Sequence, residues 1–215
     1  MNGYYPVVLQ LRGKRCVIVG GGGVAQRKLL GLLEAGADQV TVISPDVTPA
    51  IGKLAEEGVI RTELREYEEA DSAGAWLLFA ATNDRRVNAA IAADGERHGA
   101  LVNAADEAER GTFISPSVVR RGDLLLAVTA SGASPALSQL IKTELAERYG
   151  PEYEQVTARL RSLREKAVSR LPDERQRRIV LKLAAEEALQ RHNRSNIDAD
   201  EWLTGLLHRL DRGQP

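Results

Sequence analysis

Four consecutive glycines stand at positions 20–23, directly behind RCVIV (residues 15–19) and directly ahead of VAQRKLLGLLEA (residues 24–35). The run before them reads as a buried strand. The segment after them has apolar residues at helical spacing, with Gly36 as its stop. Read as G-x-G-x-x-A, the key positions are Gly20, Gly22 and Ala25. The first glycine permits a tight turn, the second lets a pyrophosphate approach the backbone, and the small third residue lets helix and strand pack closely. Gly21, Gly23 and Val24 complete the turn, where unpaired N–H groups at the helix start can bind phosphates. No Lys-Ser/Thr pair ends the glycine run, so it is not a P-loop.

The rest of the first half repeats the strand–helix alternation. Strands are expected at 39–44, 59–64, 75–82 and 100–105, with helices at 24–35, 48–57 and from Asn83 or Asp84 to His98. Residues 75–82 (AWLLFAAT) are apolar on both faces, as in a central parallel strand. The pattern changes near residue 112. Residues 112–117 and 123–130 are strand-like and separated by Val118–Val119 and the turn Arg120–Arg121–Gly122, which suits an antiparallel pair. Ser134–Pro135 then opens a helix that runs to Gly150, and helices follow at 153–171, 172–192 and 198–212. The expected class is α/β: a Rossmann-type parallel sheet over residues 1–113, a small α+β connector over 114–150, and an all-helical domain over 151–215.

Composition removes other classes. The 215 residues carry 29 basic and 30 acidic side chains, a formal net charge of −1. That balance argues against a chain that coats nucleic acid, and 4% aromatic residues leave few stacking platforms for single strands. No apolar run approaches the ~20 residues that span a bilayer, and the N-terminus lacks the pattern of an export signal. Cys16 is the single cysteine, so no internal disulfide forms and a cytoplasmic location is expected. His98, His192 and His208 have no metal-ligand spacing, so no protein metal site is expected.

The second strand ends in Ser44–Pro45, with Asp46 two residues later, where a ribose-binding acid is sought. Either Asp46 or backbone groups near Ser44 take that task. No arginine follows the strand to hold a 2′-phosphate, which favours NAD over NADP. Thr82 and Asn83, after the fourth strand, either reach the same crevice or only cap the next helix. Asp106, behind the fifth strand, either accepts a proton as a hydride leaves or only shapes a turn.

Residues 1–150 resemble the precorrin-2 dehydrogenase family, the NAD-dependent enzymes of sirohaem and anaerobic cobalamin synthesis. The likeness rests on Tyr5–Pro6, the string Val19–Gly20–Gly21–Gly22–Gly23–Val24–Ala25–Gln26–Arg27–Lys28, Ala80–Ala81–Thr82–Asn83, Val102–Asn103, Asp106, Phe113–Ile114, Pro116 and Ser131–Gly132–Ala133–Ser134–Pro135. The resemblance implies oxidation of precorrin-2 to sirohydrochlorin, with hydride passing to NAD⁺ and Asp106 as general base. It also implies a homodimer formed through the connector and a cleft lined by Ser131 and Gly132. Ala130 departs from the serine that some relatives have there.

The substrate's eight carboxylates call for positive charge, for which Arg120 and Arg121 are candidates. The basic stretch from Arg159 to Arg178 is either a solvated helix face or a cleft wall. Some relatives also insert Fe²⁺, which stays open here. The rival reading is a non-catalytic NAD(H)-binding sensor.

Overall fold

The structure is a computed structural model, and it describes residues 3–104, 111–190 and 198–212. The chain divides into two compact units, Met1–Ser115 and Pro116–Pro215. The expected helical domain and all of the expected connector but residues 114–115 fall in the second.

The first unit is a five-stranded parallel sheet in the order β3-β2-β1-β4-β5. Its strands are β1 (Arg15–Val19), β2 (Gln39–Ile43), β3 (Arg61–Glu63), β4 (Leu77–Ala80) and β5 (Leu101–Ala104). Side chains alternate across the sheet, and both faces are covered. Cys16, Ile18, Leu77 and Phe79 pack with Ala25 and Leu29 of α1 (Gly23–Glu34) and Ile51 of α2 (Pro49–Glu56). Val17, Val19, Leu78 and Ala80 pack with Ile91 and Ala92 of α3 (Arg85–Arg97). Two buried faces explain the nearly unbroken apolar runs of β1 and β4.

The helix starts follow the local sequence. The Thr48 hydroxyl accepts from the Ile51 N–H ahead of Pro49, and Asp84 accepts from the N–H groups of Arg86 and Val87. The connection from β3 to β4 is held by charge. Arg65 donates to both carboxylate oxygens of Asp71, at 2.8 and 2.6 Å, and the Glu68 N–H donates to the same carboxylate at 2.8 Å. Beside it, Tyr67 donates to Asp94 of α3 at 2.9 Å, and Arg97 bridges Asp94 and Glu69.

Residues 112–116 are not the strand expected there. They form a strap along β5: the Thr112 N–H donates to the Val102 carbonyl, the Thr112 hydroxyl accepts from the Val102 N–H, and Asn103 donates to the Phe113 carbonyl. Phe113 packs edge-on against Phe79, and Lys28 of α1 donates to the Ser115 hydroxyl at 3.0 Å.

In the second unit the hairpin lies later than its pattern suggested. β6 (Ser117–Arg121) pairs antiparallel with β7 (Leu124–Val128), so Val118–Arg121 are strand and the turn is Gly122–Asp123. Within β6, Val119 is buried and Arg120 exposed; the arginine pair made the segment read as a turn. α4 (Pro135–Arg148) starts at Ser134, whose hydroxyl accepts from the Leu137 N–H. α5 (Tyr153–Arg170), α6 (Glu174–Gln190) and α7 (Ala199–Asp211) surround a separate core that includes Leu163, Val180, Trp202 and Leu206. Much of the basic stretch is spent inside this unit. Arg161 pairs with Asp123, Lys166 and Arg170 pair with Asp200, and Arg177 donates to the carbonyls of Leu171 and Pro172.

Two stability predictions follow from these charges. Arg65 holds the Asp71 carboxyl below its usual range, so its contribution is present above the ordinary aspartate value and lost as pH falls through the lowered one. Asp71→Asn is expected to cost on the order of 2 kcal/mol in urea unfolding at pH 7, with the gap to wild type closing below about pH 4. Lys28 is the opposite case. Burial, with help from Arg27, pushes its amine down to about 8, so the unfolded chain holds the proton more tightly between that value and 10.5. Folding stability therefore rises with pH across that window, and Lys28→Met should remove this part of the rise.

Candidate dinucleotide-binding site

Three loops meet at the carboxyl ends of β1, β2 and β4. Gly20 has φ +120°, a conformation that side chains rarely adopt, and a Cβ there would collide with the Ala81 carbonyl behind β4. A Cβ on Gly21 would collide with the Asp46 carbonyl and stand 2.9 Å from the Ser44 hydroxyl. The loop after β2 is also tied down. The Thr48 N–H donates to the Gly21 carbonyl at 2.9 Å, and the Thr48 hydroxyl donates to Gln26 of α1 at 2.7 Å.

Gly22 and Gly23 differ from the first two glycines. A Cβ on either would meet nothing within 4 Å. Gly22 is the N-cap of α1, no side chain caps that helix, and its first turn holds no acidic residue. The result is an exposed helix start whose N–H groups face an open approach, where backbone dipoles favour an anion. The sheet order places this turn and the loop after β4 on either side of the point where strand order reverses, the crevice used by doubly wound sheets. A dinucleotide pyrophosphate fits the turn: protein fills the space beside the first two glycines and leaves Gly22 clear.

The remaining expected residues are placed unevenly. Pro45 and Asp46 are exposed beside Gly21, with Ser44 half-buried, so the Asp46 carboxylate is free to meet a ribose while its carbonyl packs on the turn. Asn83 is exposed. Thr82 is turned inward: its hydroxyl donates to Asn88 at 2.8 Å and accepts from the Asp84 N–H at 3.2 Å. Asp106 lies outside the described residues. Arg120 is exposed on β6. Arg121 is partly engaged in the fold: its guanidinium donates to the Tyr149 and Ala146 carbonyls at the end of α4, and to that of Arg120. These are carbonyls a helix leaves unpaired, so a nearby arginine is drawn to them. Ser131 and Gly132 are exposed and both have positive φ, in the turn between β7 and α4.

Among the described residues, no three His, Cys, Asp or Glu side chains converge as a metal site. None of the described helices is long and apolar enough to cross a membrane. Asn88 was not singled out in the sequence, and Gln26 only as part of the glycine-rich string. An amide at the helix position facing a loop was the available signal, and it is visible only once the loop is placed.

The family model described as "Putative NAD(P)-binding" matches residues 7–117, just over half of the chain and the whole of this site. The chain belongs to that family. The match accords with an NAD(P)-type dinucleotide at this turn, as the glycine run led one to expect. Among curated proteins, the siroheme synthase of Methylococcus capsulatus is 41% identical over 175 residues, 81% of this chain and 37% of that protein. The siroheme synthase of Edwardsiella ictaluri is 32% identical over 216 residues, 98% of this chain and 47% of that protein. The chain therefore spans well under two thirds of these relatives. A solved structure titled "SirC, precorrin-2 dehydrogenase" aligns with a TM-score of 0.77 and 29% identity, covering 95% of this chain and 100% of that one. The resemblance to precorrin-2 dehydrogenases read from the sequence is borne out.

The two kinds of glycine separate in mutation. Gly22→Ala should cost about 1 kcal/mol of stability, the difference between glycine and alanine at an N-cap, and weaken NAD binding roughly tenfold by obstructing the approach. Gly20→Ala should lower the melting temperature far more, because it displaces the Ala81 peptide. Calorimetric titration with NAD and thermal unfolding of both variants check the contrast.

Proposed function

We propose that this chain is an NAD-dependent dehydrogenase that oxidises precorrin-2 to sirohydrochlorin. The observation that carries the reading is the open Gly22 turn, set between the loops after β2 and β4, in a chain that aligns almost end to end with a precorrin-2 dehydrogenase. NAD⁺ supplies the hydride acceptor. The balance is precorrin-2 plus NAD⁺ giving sirohydrochlorin, NADH and one proton.

The chain's own residues hold the cofactor and take the proton. The N–H groups at the start of α1 bind the pyrophosphate, Asp46 or backbone near Ser44 takes the ribose hydroxyls, and Asn83 lies beside them. Asp106 is the general base that accepts the proton as conjugation extends. Arg120, Arg121, Ser131 and Gly132 are the candidates for holding substrate carboxylates, with Arg121 partly engaged by the end of α4. The working form is a cytoplasmic homodimer. Insertion of Fe²⁺ into the product is a separate activity, tested by supplying Fe²⁺ with sirohydrochlorin and following metallation.

Mixing the protein with precorrin-2 and NAD⁺ is expected to give sirohydrochlorin absorbance and NADH in equal amounts. Binding of NAD without turnover would leave the sensor reading instead. Asp106→Ala should keep NAD affinity and lose about a hundredfold or more in turnover, the usual range for a general base. Wild-type rates in that variant would remove Asp106 from the mechanism.

A further inference from the structure

Asn88 is 2% exposed, on the second turn of α3, close to the apolar positions Ile91 and Ala92 that face the sheet. A buried amide costs several kcal/mol unless its polar atoms are paired, so its partners explain why it is there. All of those partners are on one residue. The Asn88 Oδ1 accepts from the Thr82 N–H at 3.1 Å and from the Thr82 hydroxyl at 2.8 Å, and its Nδ2 donates to the Thr82 carbonyl at 3.1 Å.

Helix capping does not account for this arrangement. α3 is already capped by Asp84, and the Asn88 N–H makes the ordinary helical bond to the Asp84 carbonyl at 3.0 Å. The side chain instead completes the loop that follows β4. The last sheet-like bond there runs from the Ala81 N–H to the Val19 carbonyl at 2.8 Å, and the N–H and C=O of the next residue, Thr82, have neither sheet nor helix to pair with. Asn88 supplies both missing partners, as a neighbouring strand would.

The position of that peptide matters to the cofactor. The Ala81 carbonyl fills the space beside Gly20 that a Cβ would need, so it defines the path of the glycine turn. Asn83, the next residue of the same short segment, is exposed. We propose that Asn88 is a positioning residue for NAD: through Thr82 it fixes the loop against which the first glycine is seated, without touching the cofactor. The inference rests on NAD binding at the glycine turn and not on which substrate is oxidised.

The test uses the full chain and NAD as the titrant, with thermal unfolding measured in its absence. Asn88→Ala is expected to bind NAD at least about tenfold more weakly than wild type. Asn88→Asp keeps the shape and the acceptor but sets a carboxylate against the Thr82 carbonyl. Its NAD affinity should be low at pH 8 and recover toward wild type as pH falls. In the protonated acid one oxygen donates to that carbonyl, while the other accepts from the Thr82 N–H and hydroxyl. The wild-type titration over the same range accounts for Asp84 and Asp46, the titratable groups of the two loops.

Affinity within twofold of wild type in Asn88→Ala overturns the proposal. So does an Asn88→Asp variant whose NAD affinity shows no more pH dependence than the wild type, since damage to the fold alone would give a uniform loss. Should the alanine variant fail to fold, the aspartate variant decides. A wild-type chain that does not bind NAD would instead sink the reading of the turn itself.

Discussion

Two backbone carbonyls stand where the side chains of Gly20 and Gly21 would be. The Ala81 oxygen lies beside the first and the Asp46 oxygen beside the second, so the loops after β4 and β2 close on the turn after β1. Everything the site does depends on this contact. It fixes the direction in which the chain leaves β1, and hence the axis and the exposed start of α1. A methyl group at either position would separate the loops, and no surface substitution would restore them. The pairing of β1 with both β2 and β4 delivers the three loops to one edge; the absence of two side chains lets them meet.

This contact divides the four glycines by task. Two serve packing within the protein, and Gly22 and Gly23 stand clear of other protein atoms. The distinction explains why a glycine-rich turn alone is weak evidence of binding. A turn that only packed would have its glycines filled by neighbouring atoms throughout. Here the packing requirement ends at Gly21, and at Gly22 the helix begins with no side chain covering its N–H groups.

The parts of the fold with a strict period were legible in the sequence. The parallel sheet, the caps at Asp84 and Ser134, and the helix stop at Gly36 follow from local chemistry that tertiary structure did not override. The strap at 112–116 was misread because an extended segment hydrogen-bonded to one edge looks, in sequence, like a strand. Its partners, Val102 and Asn103, lie about ten residues back and give no local signal. The hairpin was displaced by Arg120 and Arg121, which are turn-like in composition. Arg121 instead occupies a strand position from which it reaches the end of α4. Asn88 illustrates the same limit at the site: its identity was plain, but its meaning depends on a loop six residues earlier.

Net charge was a poor guide to where an anion binds. The chain balances 29 basic against 30 acidic side chains, yet many of its cations are already engaged. Arg65 and Arg97 brace the β3–β4 connection, Arg121 and Arg177 hold backbone carbonyls, and Arg161, Arg170 and Arg209 pair with carboxylates. Lys28, on the helix that begins at the glycine turn, is occupied by the Ser115 hydroxyl and the Phe79 ring, and burial already weakens its hold on a proton. On the proposed reading, the first turn of α1 would meet a pyrophosphate with backbone N–H groups and no cationic side chain assigned to it. Such donors are fixed by the fold and cannot be titrated or withdrawn by a rotamer change. The cost is that they are useful only if the turn keeps its shape, which returns the burden to the carbonyls beside Gly20 and Gly21.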